Sequence, residues 1–220
     1  MNVLGFDTST AATSVCLLRD DGVAFEVIPP DERLLEPPGH ARELMPGVAE
    51  VMEHAGLGYE QIDALAVGVG PGTFTGLRIG VTTARALAHA EDLPLHPVSS
   101  LAALAAGIEA DVRLPLIDAK RGELFAALYR DGEELWPPFA ATPEEVVRRL
   151  RDGSFTAVAA GDGSLRFQEV LVAAGIEIGP SGAHAVRALH VCRLASRVPE
   201  ASPETVLPNY LRDPDAKPQR

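Results

Sequence analysis

The sequence predicts an α/β protein made of two related halves, and two observations support this prediction. Apolar runs of strand length alternate along the chain with segments whose apolar residues recur at helical spacing. Asp118 follows Asp7 by 111 positions, and the same offset relates further leucine, arginine and aspartate pairs. Unless this weak repeat is chance similarity, each half opens with a strand hairpin whose first turn carries an aspartate. We place the halves at 1–108 and 109–220.

The elements of the first half follow in chain order from short apolar runs and the turn residues between them. Asp21-Gly22 marks the hairpin turn between the second and third strands. Gly56 suits the left-handed conformation that closes the first helix, and Pro46 either kinks that helix or marks its regular start. Ser99 or Ser100 caps the third helix. The predicted strands are 3–6, 14–18, 23–28, 64–69 and 95–98, and the predicted helices are 43–55, 77–89 and 99–106.

The second half repeats the opening hairpin and then alternates again. Asp118 opens its first turn, and Asp131-Gly132 makes the next one. The Pro-rich segment from residue 207 to the end is expected to be extended. The remaining predictions are strands at 116–117, 123–129 and 156–160 and helices at 143–150, 165–174 and 185–196.

Composition and charge exclude several classes of protein. The formal net charge is −12, so the surface repels phosphodiesters and lacks the broad basic footprint of an autonomous nucleic-acid binder. No apolar run reaches the ~18 residues of a membrane span, and the N-terminus shows no secretory pattern. We therefore expect a cytoplasmic protein that meets any nucleic acid through a basic partner. Its two cysteines, Cys16 and Cys192, are expected to be buried thiols.

The stretch GVGPGTFTGLRIG places closely spaced glycines between a predicted strand and a predicted helix. Gly70, Gly72 and Gly76 resemble a variant dinucleotide-binding fingerprint, but Pro71 removes an N–H that a phosphate loop usually offers. We favour the structural alternative, in which Gly70-Pro71-Gly72 makes a tight turn and one of the following threonines caps the helix. Gly76 then lets the helix lie close to a neighbour.

Two predicted helices of the first half, 43–55 and 77–89, carry more apolar side chains than one buried face needs. An additional exposed apolar stripe on each helix would form a hydrophobic surface patch. A protein–protein interface made by these helices is the simplest explanation for such a patch. Arg78 and Arg85 lie on one side of the second helix, where they could pair with a partner's carboxylates; a solvated surface is the alternative. The apolar interface candidates are Leu44, Val48, Val51, Met52, Leu77 and Val81.

The glycine stretch and four other segments resemble the TsaB family, also called YeaZ. The other segments are LGFDTST, HARELMPGVAEVMEHAGL, LIDAKRGELFAALY and PNYLRDPDA, so the resemblance covers nearly the whole chain. It implies an actin-like (ASKHA) fold of two related halves, each with a mixed sheet flanked by helices. One departure from the family concerns length, because the segment from VRLPLIDAKR to the end is short.

The same resemblance implies a function in forming N6-threonylcarbamoyladenosine on tRNAs that read codons starting with A. TsaB-like proteins pair with the transferase TsaD and activate it without being catalytic themselves, and a third member, TsaE, is an ATPase. The resemblance places the interface on the helices around 43–55 and 76–89, with tRNA met only through the complex. Without its partner, the chain could use the same patch to form a homodimer.

An ATP-binding enzyme of the sugar-kinase type is the competing interpretation. Phosphoryl transfer on an actin-like scaffold needs two facing phosphate loops, and Asp7, Ser9 and Thr10 are the nucleotide-binding candidates for the first. A carboxylate that only caps its turn is the alternative for Asp7. At the counterpart turn, Lys120 and Arg121 replace the small residues of a backbone cradle, although they could bind an anion.

No metal site and no cofactor are predicted. No two of the six histidines are four positions apart, so the chain lacks the H-x-x-x-H pair that puts two imidazoles on one helical face. No G-x-S-x-G motif of a serine hydrolase is present either. A peptidase is suggested only by an old family analogy. Its catalytic triad would have to be assembled from residues that are distant in sequence. The sequence therefore favours a non-catalytic protein.

Overall fold

A computed structural model gives the fold, and it describes residues 1–212. The end of the predicted extended tail, 213–220, lies outside the described residues. In the first half the strands are β1 (Val3–Asp7), β2 (Ser14–Leu18), β3 (Ala24–Val27), β4 (Ala64–Gly68) and β5 (Leu95–Val98), and the helices are α1 (His40–Ala55), α2 (Phe74–Ala90) and α3 (Ser100–Ala106).

The second half follows the same plan with shorter helices. Its strands are β6 (Val112–Lys120), β7 (Glu123–Arg130), β8 (Glu133–Ala141), β9 (Val158–Ala160) and β10 (Glu177–Ile178). Its helices are α4 (Pro143–Asp152), α5 (Asp162–Arg166), α6 (Gln168–Ala173) and α7 (Ala188–Ala195).

Both sheets have the same strand order and the same mixture of directions. The first runs β3-β2-β1-β4-β5, with β1 antiparallel to β2 and parallel to β4. The second runs β10-β9-β6-β7-β8, with β6 antiparallel to β7 and parallel to β9. Because β6 takes the place of β1, Asp118 and Asp7 lie at equivalent points of the two sheets. The prediction of two related halves, each with a mixed sheet, is confirmed.

Several element boundaries differ from those predicted. Helix α1 begins at His40 and contains Pro46, so the proline does not mark its start, whereas Gly56 closes it in the left-handed conformation (φ 65°) as predicted. Helix α2 begins at Phe74, and the helix predicted at 165–174 is divided into α5 and α6. The sequence analysis missed β8, whose Pro-Pro pair at 137–138 is tolerated because β8 is an edge strand.

The two halves share part of one core. Alternate side chains of β1 point to opposite faces of its sheet. Leu4 packs with α1 and α2 on one face, and Val3 packs with α7 on the other. Helix α7 thus returns from the second half to the first sheet, where Arg187, just before it, contacts Glu26 at 2.6 Å. The packing therefore crosses the proposed division near residue 108. None of the helices within residues 1–212 has the length and apolar character needed to cross a membrane.

Candidate functional site

The glycine turn between β4 and α2 lies directly on the turn that follows β1. The N–H of Thr73 donates to the carbonyl oxygen of Ser9 at 2.7 Å. A methyl group on Gly72 would overlap that oxygen, and one on Gly76 would overlap the carbonyl oxygen of Thr8. The close approach of two backbones therefore requires glycine here. Thr73 occupies the position that precedes α2, but its side chain makes no capping hydrogen bond, contrary to one form of the prediction.

The carboxylate of Asp7 is satisfied within the chain. One oxygen accepts hydrogen bonds from the N–H of Ser9 at 2.7 Å and from its hydroxyl at 2.6 Å. The other accepts from the hydroxyl of Ser100 at 2.6 Å, and that hydroxyl also accepts the N–H of Gly70 at 3.1 Å. Burial raises the pKa of Asp7 despite these donors. The sequence analysis noted Ser100 only as a helix cap and missed this contact.

The structure encloses the nucleotide-binding candidates Asp7, Ser9 and Thr10, whose binding of a nucleotide stays a prediction. All three are buried, with at most 2% of their surface exposed. A phosphate or a hydrated metal ion would first have to displace the glycine turn that covers them. Asp7 instead caps its own turn, which is the alternative interpretation given above.

The six apolar interface candidates also lie in the core. Their exposed fractions range from 0 to 8%, and five of them pack in one cluster with Phe6 and Leu65 of the first sheet. The prediction that they form a partner-facing stripe is therefore wrong, because α1 and α2 need these side chains to cover the sheet. The residues concerned are Leu44, Val48, Val51, Met52, Leu77 and Val81.

The two arginines of α2 remain at the surface, and Arg78 contacts its own chain. The guanidinium of Arg78 lies 3.9 Å from the centre of the Phe74 ring, and its Nε donates to the hydroxyl of Tyr210 at 3.2 Å. Arg85 lies near the carboxylate of Glu204 and helps to lower its pKa, after a hydrogen bond from Ser202. Their pairing with a partner's carboxylates stays a prediction.

Six exposed uncharged side chains of α1 and α2, here called the docking face, lie among exposed charged side chains that include Arg42, Glu50 and Arg78. It was not singled out in the sequence, although the four-residue spacing of its α1 members is visible there. Met45 is its largest apolar member and is 44% exposed. Its members are Ala41, Met45 and Ala49 on α1 and Thr75, Thr82 and Ala86 on α2.

A pocket of about 310 Å³ opens between the two halves and is here called the cleft pocket. The first turn of α2 forms one wall, the end of β6 forms another, and residues 210–212 form the third. Phe74, Phe125 and Tyr210 supply aromatic rings, while Lys120 and Arg212 supply positive charges. Neither aromatic nor basic residues of the C-terminal segment were predicted to take part in a site.

The turn after β6 places cations around a buried aspartate. Asp118, 3% exposed, accepts the N–H of Lys120 at 2.8 Å, and its other oxygen contacts Lys120 Nζ at 2.8 Å and Arg166 Nε at 3.4 Å. Lys120 and Arg121 have left-handed φ values of 63° and 56°, and both residues are exposed. Behind them, burial raises the pKa of Asp162 to about 6.

The geometry gives no support to a hydrolase. Ser164 Oγ lies 3.1 Å from His184 Nδ1, but Ser164 is 0% exposed and the other nitrogen of His184 faces the carbonyl oxygen of Gly179 rather than a carboxylate. Over residues 1–212, no group of three or more His, Cys, Asp or Glu side chains is arranged to hold a metal ion.

Comparisons with known proteins agree with this architecture. A family model described as "TsaD: tRNA N6-adenosine threonylcarbamoyltransferase" matches residues 37–154. The chain is 30% identical over 226 residues to the tRNA threonylcarbamoyladenosine biosynthesis protein TsaB of Bacillus subtilis, covering 99% of this chain and 96% of that protein. An uncharacterized protein of Mycobacterium leprae is 34% identical over 98% of this chain, which spans 56% of that relative's length.

The solved structures lead to the same fold. A crystal structure of "an uncharacterized protein with similarity to peptidase YEAZ from Pseudomonas aeruginosa" superposes with a TM-score of 0.78 at 30% identity, covering 96% of this chain and 99% of that one. Together with the two mixed sheets, these similarities confirm the expected actin-like α/β fold.

Proposed function

Because the chain belongs to the TsaB (YeaZ) family, we propose that it is a non-catalytic subunit that binds and activates a TsaD-like transferase. Its relatives act in the biosynthesis of threonylcarbamoyladenosine on tRNA. In this proposal the complex works in the cytoplasm, includes a TsaE-like ATPase and supplies the basic surface that meets tRNA.

The docking face is the observation that carries this proposal. Ala41, Ala49 and Ala86 are small, so the backbones of another helix pair can approach closely, and Met45 offers an adaptable apolar contact. The docking face lies on the same two helices as the apolar interface candidates predicted from the sequence, whose side chains are buried.

Similarity to the transferase family suggests what covers this face. The TsaD family model matches residues 37–154, a range that includes both α1 and α2. A TsaD-like partner would therefore present two helices at the equivalent place in its own fold. Packing equivalent helix pairs against each other gives a pseudo-twofold, four-helix contact. Two copies of this chain would use the same geometry in a homodimer.

The buried turn after β1 supports the non-catalytic part of the proposal. In a phosphoryl-transfer enzyme of this fold, that turn would face the nucleotide. Here Asp7 is fully engaged with Ser9 and Ser100, and the glycine turn covers it. These contacts also disfavour the sugar-kinase alternative, which a calorimetric titration with Mg-ATP tests directly.

The activation proposal is tested by reconstitution. The purified full-length chain is mixed with a TsaD homologue, a TsaE homologue, ATP, threonylcarbamoyl precursors and tRNA, and the modified nucleoside is measured with and without the chain. We expect modification to depend on the chain. Equal modification in both mixtures would contradict activation.

The docking face is tested by Met45→Asp and Ala49→Asp, which place unpaired charges at the centre of the proposed contact. Both positions are exposed in the free chain, so the fold should survive, and association with the TsaD homologue should weaken at least ~100-fold. Val172→Asp, at an apolar position 53% exposed on α6, is the matched control and should bind normally. Normal association of both docking-face variants would remove this face from the interface. Leu77→Asp and Val81→Asp are poor tests, since both would unfold the subunit.

A further inference from the structure

We propose that Cys16 and Cys192 form a reversible disulfide bond under oxidising conditions, and that this bond ties α7 to the first sheet. Cys16 lies on β2 in the first half and Cys192 lies on α7 in the second, so the bond joins the two halves covalently. Both residues are free cysteines with at most 2% of their surface exposed. The proposal concerns the fold of the chain itself and does not depend on the proposed function.

The structure brings the two thiols together on one face of the first sheet. Cys16 and Cys192 belong to the core cluster in which α7 packs on that sheet. The thiol of Cys192 donates weak hydrogen bonds to the carbonyl oxygens of Val3 and Cys16, each at 3.6 Å. The Cys192 sulfur therefore reaches the backbones of the two strands and lies next to Cys16.

Gly5 provides the space that this approach requires. Gly5 of β1 is paired directly with Cys16 of β2, so a side chain at position 5 would project from the same face as that of Cys16, about 4.5–5.5 Å away. A methyl group on Gly5 would lie 2.6 Å from the Cys192 sulfur, which is closer than real contacts allow. The sulfur thus occupies the place of the missing side chain. There it is close enough to Cys16 for a bridge between two cysteine side chains.

Enclosure determines when the bond can form. Burial raises the pKa of Cys192 well above its usual range, and the neighbouring thiol of Cys16 raises it further. Thiol–disulfide exchange requires a thiolate, so the enclosed pair reacts slowly until α7 moves away from the sheet. Glu26 restrains that movement, because it accepts hydrogen bonds from Arg187 Nη2 at 2.6 Å and from the N–H of Leu189 at 3.0 Å.

The oxidant is a small-molecule disulfide such as oxidised glutathione. One cysteine thiolate attacks a glutathione sulfur, the glutathione S–S bond breaks, and the released glutathione takes up the proton that the cysteine lost. The second cysteine thiolate attacks the protein sulfur of the mixed disulfide and releases the second glutathione. Two protein thiols are oxidised while one glutathione disulfide is reduced to two thiols. The reverse reaction breaks the bond, so a reducing environment keeps both cysteines as thiols.

The bond stabilises the folded chain because it closes a long loop. The two cysteines are 176 positions apart, and a cross-link of that span removes much of the conformational freedom of the unfolded chain. We expect the equilibrium constant for unfolding of the oxidised chain to be about 100-fold lower than that of the reduced chain.

The test uses the full-length protein with a mixture of reduced and oxidised glutathione. The protein is equilibrated in urea at its unfolding midpoint, where α7 opens repeatedly, and is then refolded, and its peptides are mapped without reduction. We expect a peptide pair joined through Cys16 and Cys192. The purified oxidised chain should unfold at a higher urea concentration than the same chain after reduction. One native preparation supplies both states, so this comparison does not depend on the folding of a variant.

Three variants and a control locate the bond and its trigger. Cys16→Ala and Cys192→Ala each leave one thiol, so glutathione should not change their urea midpoints. Glu26→Gln weakens the hold on α7 and, without urea, should form the internal disulfide about tenfold faster than the native chain. Glu145→Gln, which removes a carboxylate paired with an arginine on α4, is the matched control and should react at the native rate.

Other results would overturn the proposal. These are glutathione attached to one cysteine without an internal bond, disulfides only between molecules, and an oxidised chain no more stable than the reduced one. Equal rates for Glu26→Gln and the native chain would contradict the opening of α7 as the controlling step. None of these results bears on whether the chain activates the transferase, which is measured separately with its partner present.

Discussion

The first turns of the two halves share one backbone motif and differ in what surrounds it. In each, an aspartate near the end of the first strand accepts the N–H of the residue two positions later. The distance is 2.7 Å from Ser9 to Asp7 and 2.8 Å from Lys120 to Asp118. Such Asx turns form locally and need no support from the rest of the fold.

The two turns differ in the other groups that donate hydrogen bonds to each aspartate. Asp7 receives the neutral hydroxyls of Ser9 and Ser100 and is covered by the glycine turn. Asp118 receives the charged groups of Arg166 and of Lys120, and Lys120 lines the cleft pocket. The same turn is therefore part of the core where neutral donors and glycines enclose it, and is open to solvent where its donors are long and charged.

Removing the two aspartates gives the largest expected difference between the halves. Asp7→Ala leaves one backbone N–H and two hydroxyls buried without an acceptor, and each such group costs about 1–3 kcal/mol. We expect the free energy of unfolding to fall by about 3–5 kcal/mol, measured by urea denaturation.

Asp118→Ala is the matched variant in the second half. Its cationic partners, Lys120 and Arg166, are 55% exposed and can turn to water, so we expect a loss of only about 1–2 kcal/mol. Equal losses for the two variants would show that enclosure by neutral donors is not what distinguishes the turns.

Glycine substitutions probe the enclosure itself. Gly76→Ala would force the backbone of α2 away from Thr8, and overpacking of this kind costs about 3 kcal/mol. Gly122→Ala, in the open turn, meets nothing within 4 Å and carries only the penalty of its positive φ of 81°, about 1 kcal/mol. Denaturation of both variants gives the comparison, and a larger loss for Gly122→Ala would contradict it.

Asp162 makes the second half sensitive to pH. Its pKa, raised to about 6 by burial, means that the folded state keeps a proton that the unfolded state loses near pH 4. Stability from this group is therefore full below pH 4 and falls as the pH rises to 6. Asp162→Asn stays neutral and can still accept the N–H of Asp118, so it should be more stable than the native chain by about 2–3 kcal/mol at pH 7.

Denaturation of both proteins at several pH values checks this expectation. The gain of Asp162→Asn should vanish below pH 4, where the native carboxyl becomes protonated in both states. A gain that does not change with pH would mean that the substitution acts through packing rather than through charge.

The overall fold was predictable because local rules agree with it. The apolar runs, the turn residues and the 111-residue offset between Asp7 and Asp118 each reflect short-range constraints that survive in the sequence. Gly56 closed α1 and Ser99 capped α3 as expected. Strand β8 was missed because its prolines are acceptable only on an edge, and position in a sheet is not a local property.

The candidate site was less predictable because burial depends on which elements meet. The sequence predicts a second, exposed apolar face on each helix, which includes Leu44 and Val81. In the structure both apolar faces pack against the sheet and the neighbouring helix. Contacts such as Ser100 with Asp7 join residues 93 positions apart, and no spacing rule predicts them. The cleft pocket likewise needs Tyr210 and Arg212, which return from the C-terminal segment.

The smallest expected effect concerns whether the C-terminal segment helps to enclose the first turn. Arg78 contacts the ring of Phe74 and the hydroxyl of Tyr210 at the start of α2, close to the glycine turn. If glycines and neutral donors suffice for enclosure, Arg78→Met should lose only an exposed cation–π contact and one hydrogen bond, about 0.5–1 kcal/mol. Tyr210→Phe combined with Arg78→Met should then add little, because both remove the same contact. If the free energy of unfolding fell as much as it does for Gly76→Ala, the C-terminal segment would be part of the enclosure of the first turn. Glycines and neutral donors alone would then not explain the contrast between the two turns.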